Sequence, residues 1–152
     1  MAGVLLHASS GEQALANGKT LLQCVAAAGH RVRVQGWGIS IKGTSATDPP
    51  VLVQVVRQTT AGTMTAGTAG THLTKKNDTD AETVQTTTRV NATVEPTTTD
   101  IVEDFEVHPQ TGYRVFYPMG QEIMIPNGER LGFKVTSATL TYSAVVTVDL
   151  EE

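Results

Sequence analysis

"RQTTAGTMTAGTAGTHLTKKNDTD", residues 57–80, is the stretch on which the fold turns. It is built almost wholly of Thr, Gly and Ala, with Lys75, Lys76, Asp78 and Asp80 gathered near its end. Read as a linker, it divides the chain into two small domains. Read as a connection inside one domain, it obliges residues 19–56 and 82–150 to pair with each other. The flanks decide between the two. On the N-terminal side the chain offers three or four strand-like segments, too few to bury both faces of a sheet, so the stretch reads as a long crossing connection at 57–81 within a single domain. Thr favours extended backbone, and Gly and Ala allow close approach to other surfaces. The segment is therefore expected to lie on the body as a loop, with at most one short helix around Asp80.

Working outward, residues 1–18 read as an N-terminal arm, with an apolar run Val4–Leu5–Leu6 and a turn at Ala16–Gly18. "KTLLQCVAAAG" reads as a strand ending at Gly29. In "RVRVQGWGISIKG" the apolar positions Val32 and Val34 are followed by Trp37, Ile39 and Ile41, so the period of two slips at Gln35–Gly36, as at a β-bulge. "VLVQVVRQTT" reads as a strand covered on both faces near its start. "ETVQTTTRVNATVEP" reads as an edge or solvent-facing strand with Val90, Ala92 and Val94 on one face. "IVEDFEV" and "YRVFYP" are split by the turn residues "HPQTG". Asn127–Gly128 lies between the alternating runs Ile123/Ile125 and Leu131/Phe133/Val135, which predicts a tight hairpin. The last strand, "YSAVVTVDL", places Tyr142, Ala144, Val146, Val148 and Leu150 on one face. Eight or nine strands without a helix, in a chain of 152 residues, predict an all-β antiparallel sandwich of two sheets, of the jelly-roll type, over residues 19–152.

Composition agrees with that class and narrows the functions. Thr supplies about one residue in six, and aromatics only 5%. A chain of this length buries roughly 70% of its unfolded surface, enough for a core without disulfides. The formal charge is −4 and the basic residues are scattered, which argues against a nucleic-acid partner. No stretch approaches the ~20 apolar residues of a membrane span, and "MAGVLLHASSGEQ" lacks the features of a signal peptide, so synthesis and retention in a reducing cytoplasm are expected. The sequons at Asn77 and Asn91 are then read as chance, and Cys24 in "LLQCVAAA" as a small buried hydrophobe.

No catalytic or metal-binding constellation emerges. His7, His30, His72 and His108 are far apart in sequence, and none has a second ligand at metal spacing. Asp78, Asp80 and Glu82 alternate but lack the glycine and distal glutamate of a calcium loop. Glu103, Asp104, Glu106 and His108 read as an exposed acidic strand face; a glycosidase needs Glu103 and Glu106 to face Glu122 or Glu129 across a cleft. No cofactor, metal or enzymatic activity is expected.

The order of parts nevertheless resembles a known group. A short apolar arm, "RVRVQGWGISIKG", then "VLVQVVRQTTAGTMTAGT", and finally "IMIPNGERLGFKVTSATLTYSAVVTVDLEE" are similar to head decoration, or auxiliary capsid, proteins of tailed bacteriophages. The resemblance covers most of residues 19–150. Val56–Arg57–Gln58–Thr59 matches the strand that runs into a Thr/Ala/Gly-rich crossing in that group, and Ile125 to Val148 matches its closing strands. The resemblance implies a jelly-roll virion protein bound to the outer surface of the head, with the major capsid protein as partner, and a homotrimer. Val4, Leu5 and Leu6 are then expected at a capsid or subunit contact. A second reading is a carbohydrate-binding jelly-roll module of a phage head fibre or tail, for which Trp37, between two glycines, is the expected ligand platform.

Overall fold

The computed structural model of the chain describes residues 3–43, 46–136 and 142–152. They form strands and connecting turns, with no helix among the described residues. One sheet runs, edge to edge, β10 (Tyr113–Phe116), β4 (Val32–Ile41), β13 (Ser143–Glu151), β1 (Leu5–Ser9) and β7 (Leu73–Lys75). Two short strands extend it, β11 (Ile123–Ile125) on β4 and β2 (Gln13–Ala14) on β13. The other sheet runs β6 (Thr63–Ala66), β8 (Thr87–Val94), β3 (Lys19–Val25), β12 (Arg130–Thr136), β5 (Val51–Gln58) and β9 (Thr98–Val107).

The frame consists of β1, β3, β4, β5, β9, β10, β12 and β13. Counted in chain order, the first sheet holds the first, eighth, third and sixth of these side by side, and the second holds the second, seventh, fourth and fifth. That interleaving of two Greek keys is a jelly roll. The alternation in the strands produces it. Val32, Val34, Trp37, Ile39 and Ile41 on β4 meet Ala144, Val146, Val148 and Leu150 on β13, and both face Leu131, Phe133 and Val135 on β12 in one core. At about 25 cal/mol per Å2 of apolar surface removed from water, this shared core is the main favourable term. The expected bulge is present: Asp149 pairs with Gly36 and Leu150 with Val34, so Gln35 has no opposite residue.

Residues 57–81 join the two sheets as more than a loop. The segment leaves β5, adds β6 to the outside of β8, and then adds β7 to the outside of β1. The short helix around Asp80 is absent. The Asn77 Oδ1 instead accepts from the backbone N–H of Thr79 (3.3 Å) and from its hydroxyl (2.7 Å), a local alternative to helical hydrogen bonds that Asn favours.

Several elements depart from expectation. The N-terminal arm is not free: residues 5–9 are β1, held between β13 and β7, with Leu6 opposite Leu150 and Lys75. Val4 and Leu6 are buried in the protein's own core, and of the three expected contact residues only Leu5, 38% exposed, faces outward. β3 ends at Val25, and Gly29 belongs to the turn that follows, at φ 84°. β5 buries Val56 and Gln58 on its outer side near its end, while Leu52 and Gln54 near its start are half-buried. β8 is second from the edge, and of its expected apolar face Val94 is exposed.

The Asn127–Gly128 hairpin is also corrected. β11 pairs with β4 in the first sheet, whereas β12 pairs with β3 and β5 in the second. The Glu129 N–H donates to the Pro126 carbonyl (3.0 Å), and Gly128 has φ 72° while Asn127 does not have a positive φ. A tight hairpin of the Asn-Gly type needs positive φ at both central residues; with only the second positive, the turn carries the chain across the end of the sandwich.

Candidate functional site on the outer face of the first sheet

Strand β4 sets up this face through Gly36–Trp37–Gly38. Trp37 points into the core, so both glycines lie on the outward side of the sheet. In the neighbouring strand Phe116 stands opposite Gly36 and Arg114 opposite Gly38. A Cβ on Gly36 would lie 2.6 Å from the Val115 carbonyl oxygen and 2.7 Å from Phe116 Cδ1, and one on Gly38 would lie 3.2 Å from Arg114 Cγ. The glycines thus leave the β10 side chains room to lie down across β4, toward β13.

Arg114 uses that room. Its Nη2 donates to Asp149 Oδ2 on β13 (2.9 Å), and its guanidinium lies 4.7 Å from the centre of the Phe116 ring. The other oxygen of Asp149 takes Lys76 Nζ at 3.0 Å and His7 Nδ1 at 3.1 Å. Asp149 is buried, and its three partners are each 40–49% exposed. The face therefore presents cations to solvent above a hidden carboxylate. Burial by itself pushes the Asp149 carboxyl up, but the hydrogen bonds from His7 and Lys76 and the charges of Lys76 and Arg114 outweigh it and hold the group below its ordinary 3.8. Beside Arg114 lies a trough of about 450 Å3, lined among others by Ser40, Thr111, Gly112, Val145 and Thr147.

Trp37 sits on the opposite side of the same strand and is not a surface platform. Only 1% of it is exposed. Its indole N–H reaches Glu103 Oε2 (3.1 Å) and the Tyr117 hydroxyl oxygen (2.9 Å), and the Tyr117 hydroxyl donates to the same carboxylate oxygen (2.6 Å). Phe105, Tyr113 and Phe133 pack their rings around it at 5.3–6.2 Å. Burial, and then Glu103, push the Tyr117 phenol far above its ordinary range. The Trp37 indole and the Tyr117 hydroxyl thus tie β9 to β4 and β10 at the open side of the sandwich.

The remaining candidates are dispersed. Glu103 points inward, while Glu106, three residues on, lies exposed on the other side of β9, so no single cleft sets both of them opposite Glu122 or Glu129. Glu122 accepts the Gly120 N–H (2.6 Å), and Glu129 is exposed on the turn before β12. Asp80 Oδ1 accepts from Asn77 Nδ2, and Asp78 and Glu82 lie in the exposed turns between β7 and β8. His30 Nδ1 is 3.7 Å from Glu152, His72 Nδ1 accepts the Thr68 N–H, and His108 Nδ1 accepts the Gln110 N–H. Among the described residues no three His, Cys, Asp or Glu side chains gather as a metal site. Cys24 is fully buried, which pushes its thiol up to about 12.

The sequence reading passed over Arg114 and Asp149. The signal was present in "QGWGIS": glycine at two successive outward positions of a strand means that something must lie on that surface. No protein-family model, curated protein or solved structure matches the chain.

Proposed function

We propose that the protein is a structural virion component, a head decoration or cement protein of a tailed bacteriophage. It binds the outer surface of the capsid, contacts the major capsid protein and braces neighbouring subunits, as a homotrimer. The observation that carries the proposal is the place of the Thr/Gly/Ala-rich run. It lies between the fourth and fifth strands of a jelly roll and adds a strand to the margin of each sheet, and the group this sequence resembles has a crossing of that composition at that point. Supporting it, Ile101, Phe116 and Met119 are 55%, 61% and 95% exposed on or just after β9 and β10, the kind of side chains that anchor protein contacts. The formal charge of −4 suits a position outside the shell, away from packaged DNA.

Purified protein added to expanded heads that lack it tests the proposal. Saturable binding at many symmetry-related sites, seen by sedimentation and electron microscopy, is expected, and light scattering of the protein alone should report a trimer or a monomer that trimerises on heads. Binding confined to the tail, or none, rejects head decoration, and a stable dimer rejects the trimer.

A further inference from the structure

We propose that the trough beside Arg114 is a binding site for an acidic sugar, a pyranose that carries a carboxylate. Its volume of about 450 Å3 lies within the ~300–1,000 Å3 of small-molecule sites. Its lining mixes hydroxyls, from Ser40, Thr111 and Thr147, with the apolar side chain of Val145. A sugar ring presents the same mixture, hydroxyl groups around its rim and C–H faces between them.

The charge argues for the carboxylate. Asp149 is met by Arg114, Lys76 and His7, so two permanent cations and a histidine surround one buried anion. The cluster is net positive at the surface of a chain whose formal charge is −4. Arg114 meets Asp149 through Nη2, while a guanidinium carries five N–H donors in a planar fork that suits a second carboxylate. Its position is fixed in advance by Asp149, Phe116 and the glycine floor, so binding does not have to order it. A small inorganic anion would need the cations but not the trough. An acidic peptide would take the open edge of β10 through its backbone, and the hydroxyl-lined floor over β4 and β13 would stay empty.

This inference is independent of head decoration: a protein that binds heads but no sugar keeps that reading and loses this one. The test is titration of the intact protein, observed by NMR, with glucuronic acid, N-acetylneuraminic acid, glucose and a Glu-rich peptide. Saturable shifts at Ser40, Arg114 and Thr147 are expected with at least one of the two acidic sugars, and binding about tenfold weaker or more is expected for glucose. Arg114→Met should remove the preference for the acidic sugar. Ser40→Trp fills the trough from an exposed position and leaves the Arg114–Asp149 pair in place, and it should abolish binding with the melting temperature retained. No shifts with either acidic sugar, unchanged binding in Ser40→Trp, or shifts from the peptide alone overturns the proposal.

Discussion

Gly36 shows how much a missing side chain can decide. Its outward position is filled by Phe116 and by the backbone of Val115, so Gly36→Val must displace both. A cost of about 1–3 kcal/mol is expected, read as a lower urea midpoint at unchanged slope. On the inner side, Trp37→Phe keeps most of the ring packing but removes the N–H that Glu103 and Tyr117 share. Leaving that half-buried carboxylate short of a donor should cost about 1–3 kcal/mol, and Glu103→Gln should restore part of it in the double variant. Titratable residues set the pH limits. Cys24 and Tyr117 both have raised folded values, so the folded protein keeps their protons where the unfolded chain has lost them. The Cys24 contribution is full below the ordinary thiol value of 9.0 and is lost as pH rises toward about 12, whereas that of Tyr117 is full below the ordinary phenol value of 10.0 and is lost only at higher pH. Asp149 has the opposite sign: its contribution is present above 3.8 and is lost as pH falls through the lower folded value. Urea unfolding from pH 3 to 11 should show both declines, with the alkaline one shallower in Cys24→Ala. That Trp37 faces inward was legible from the strand period; its hydrogen-bond partners, 66 and 80 residues away, were not, because no local pattern encodes a contact between segments so distant in the chain.

At the level of elements, β4 and β13 were legible because the alternation of a strand with one buried face leaves a mark in sequence, and β5 was legible as a β-branched apolar run. The Gln35 bulge was legible for the same reason, as a one-residue slip in that alternation. What failed was pairing. Asn127–Gly128 correctly marks a turn, but a turn says nothing about which sheet each flank joins, and Ile123 and Ile125 find β4 instead of β12. Gly128→Ala places a side chain at φ 72° and should cost about 1 kcal/mol. Asn127→Ala removes the bond from the Gly29 N–H to its side chain (2.6 Å) and should loosen the same end of the sandwich, measurable as faster amide exchange at Gly29. The N-terminal run was misread in the other direction. Its apolar residues suggested a free arm, yet its alternation, Leu6 and Ala8 inward with Leu5 and His7 outward, is that of a strand. Deleting residues 1–8 should therefore unfold the domain instead of only weakening a contact, which circular dichroism melting will show as loss of the cooperative transition.

For the whole molecule, the jelly roll follows from strands that each have one apolar face and from one long segment able to pass between the sheets. The trough and its cation cluster join residues from β1, β4, β10 and β13 with Lys76 from the end of the Thr/Gly-rich run, five places far apart in the chain that only this topology unites. That is why the fold class could be read ahead of the structure and the face could not. Decoration of a head is a claim about mass action: a protein that engages only the assembled lattice stabilises it by an amount that repeats at every occupied site. The most direct measurement is the temperature at which heads release their DNA, for heads assembled without the protein, with it, and with it added back. Decoration predicts release at a lower temperature without the protein and recovery on add-back to the value of complete heads. Equal release temperatures in all three samples would contradict it.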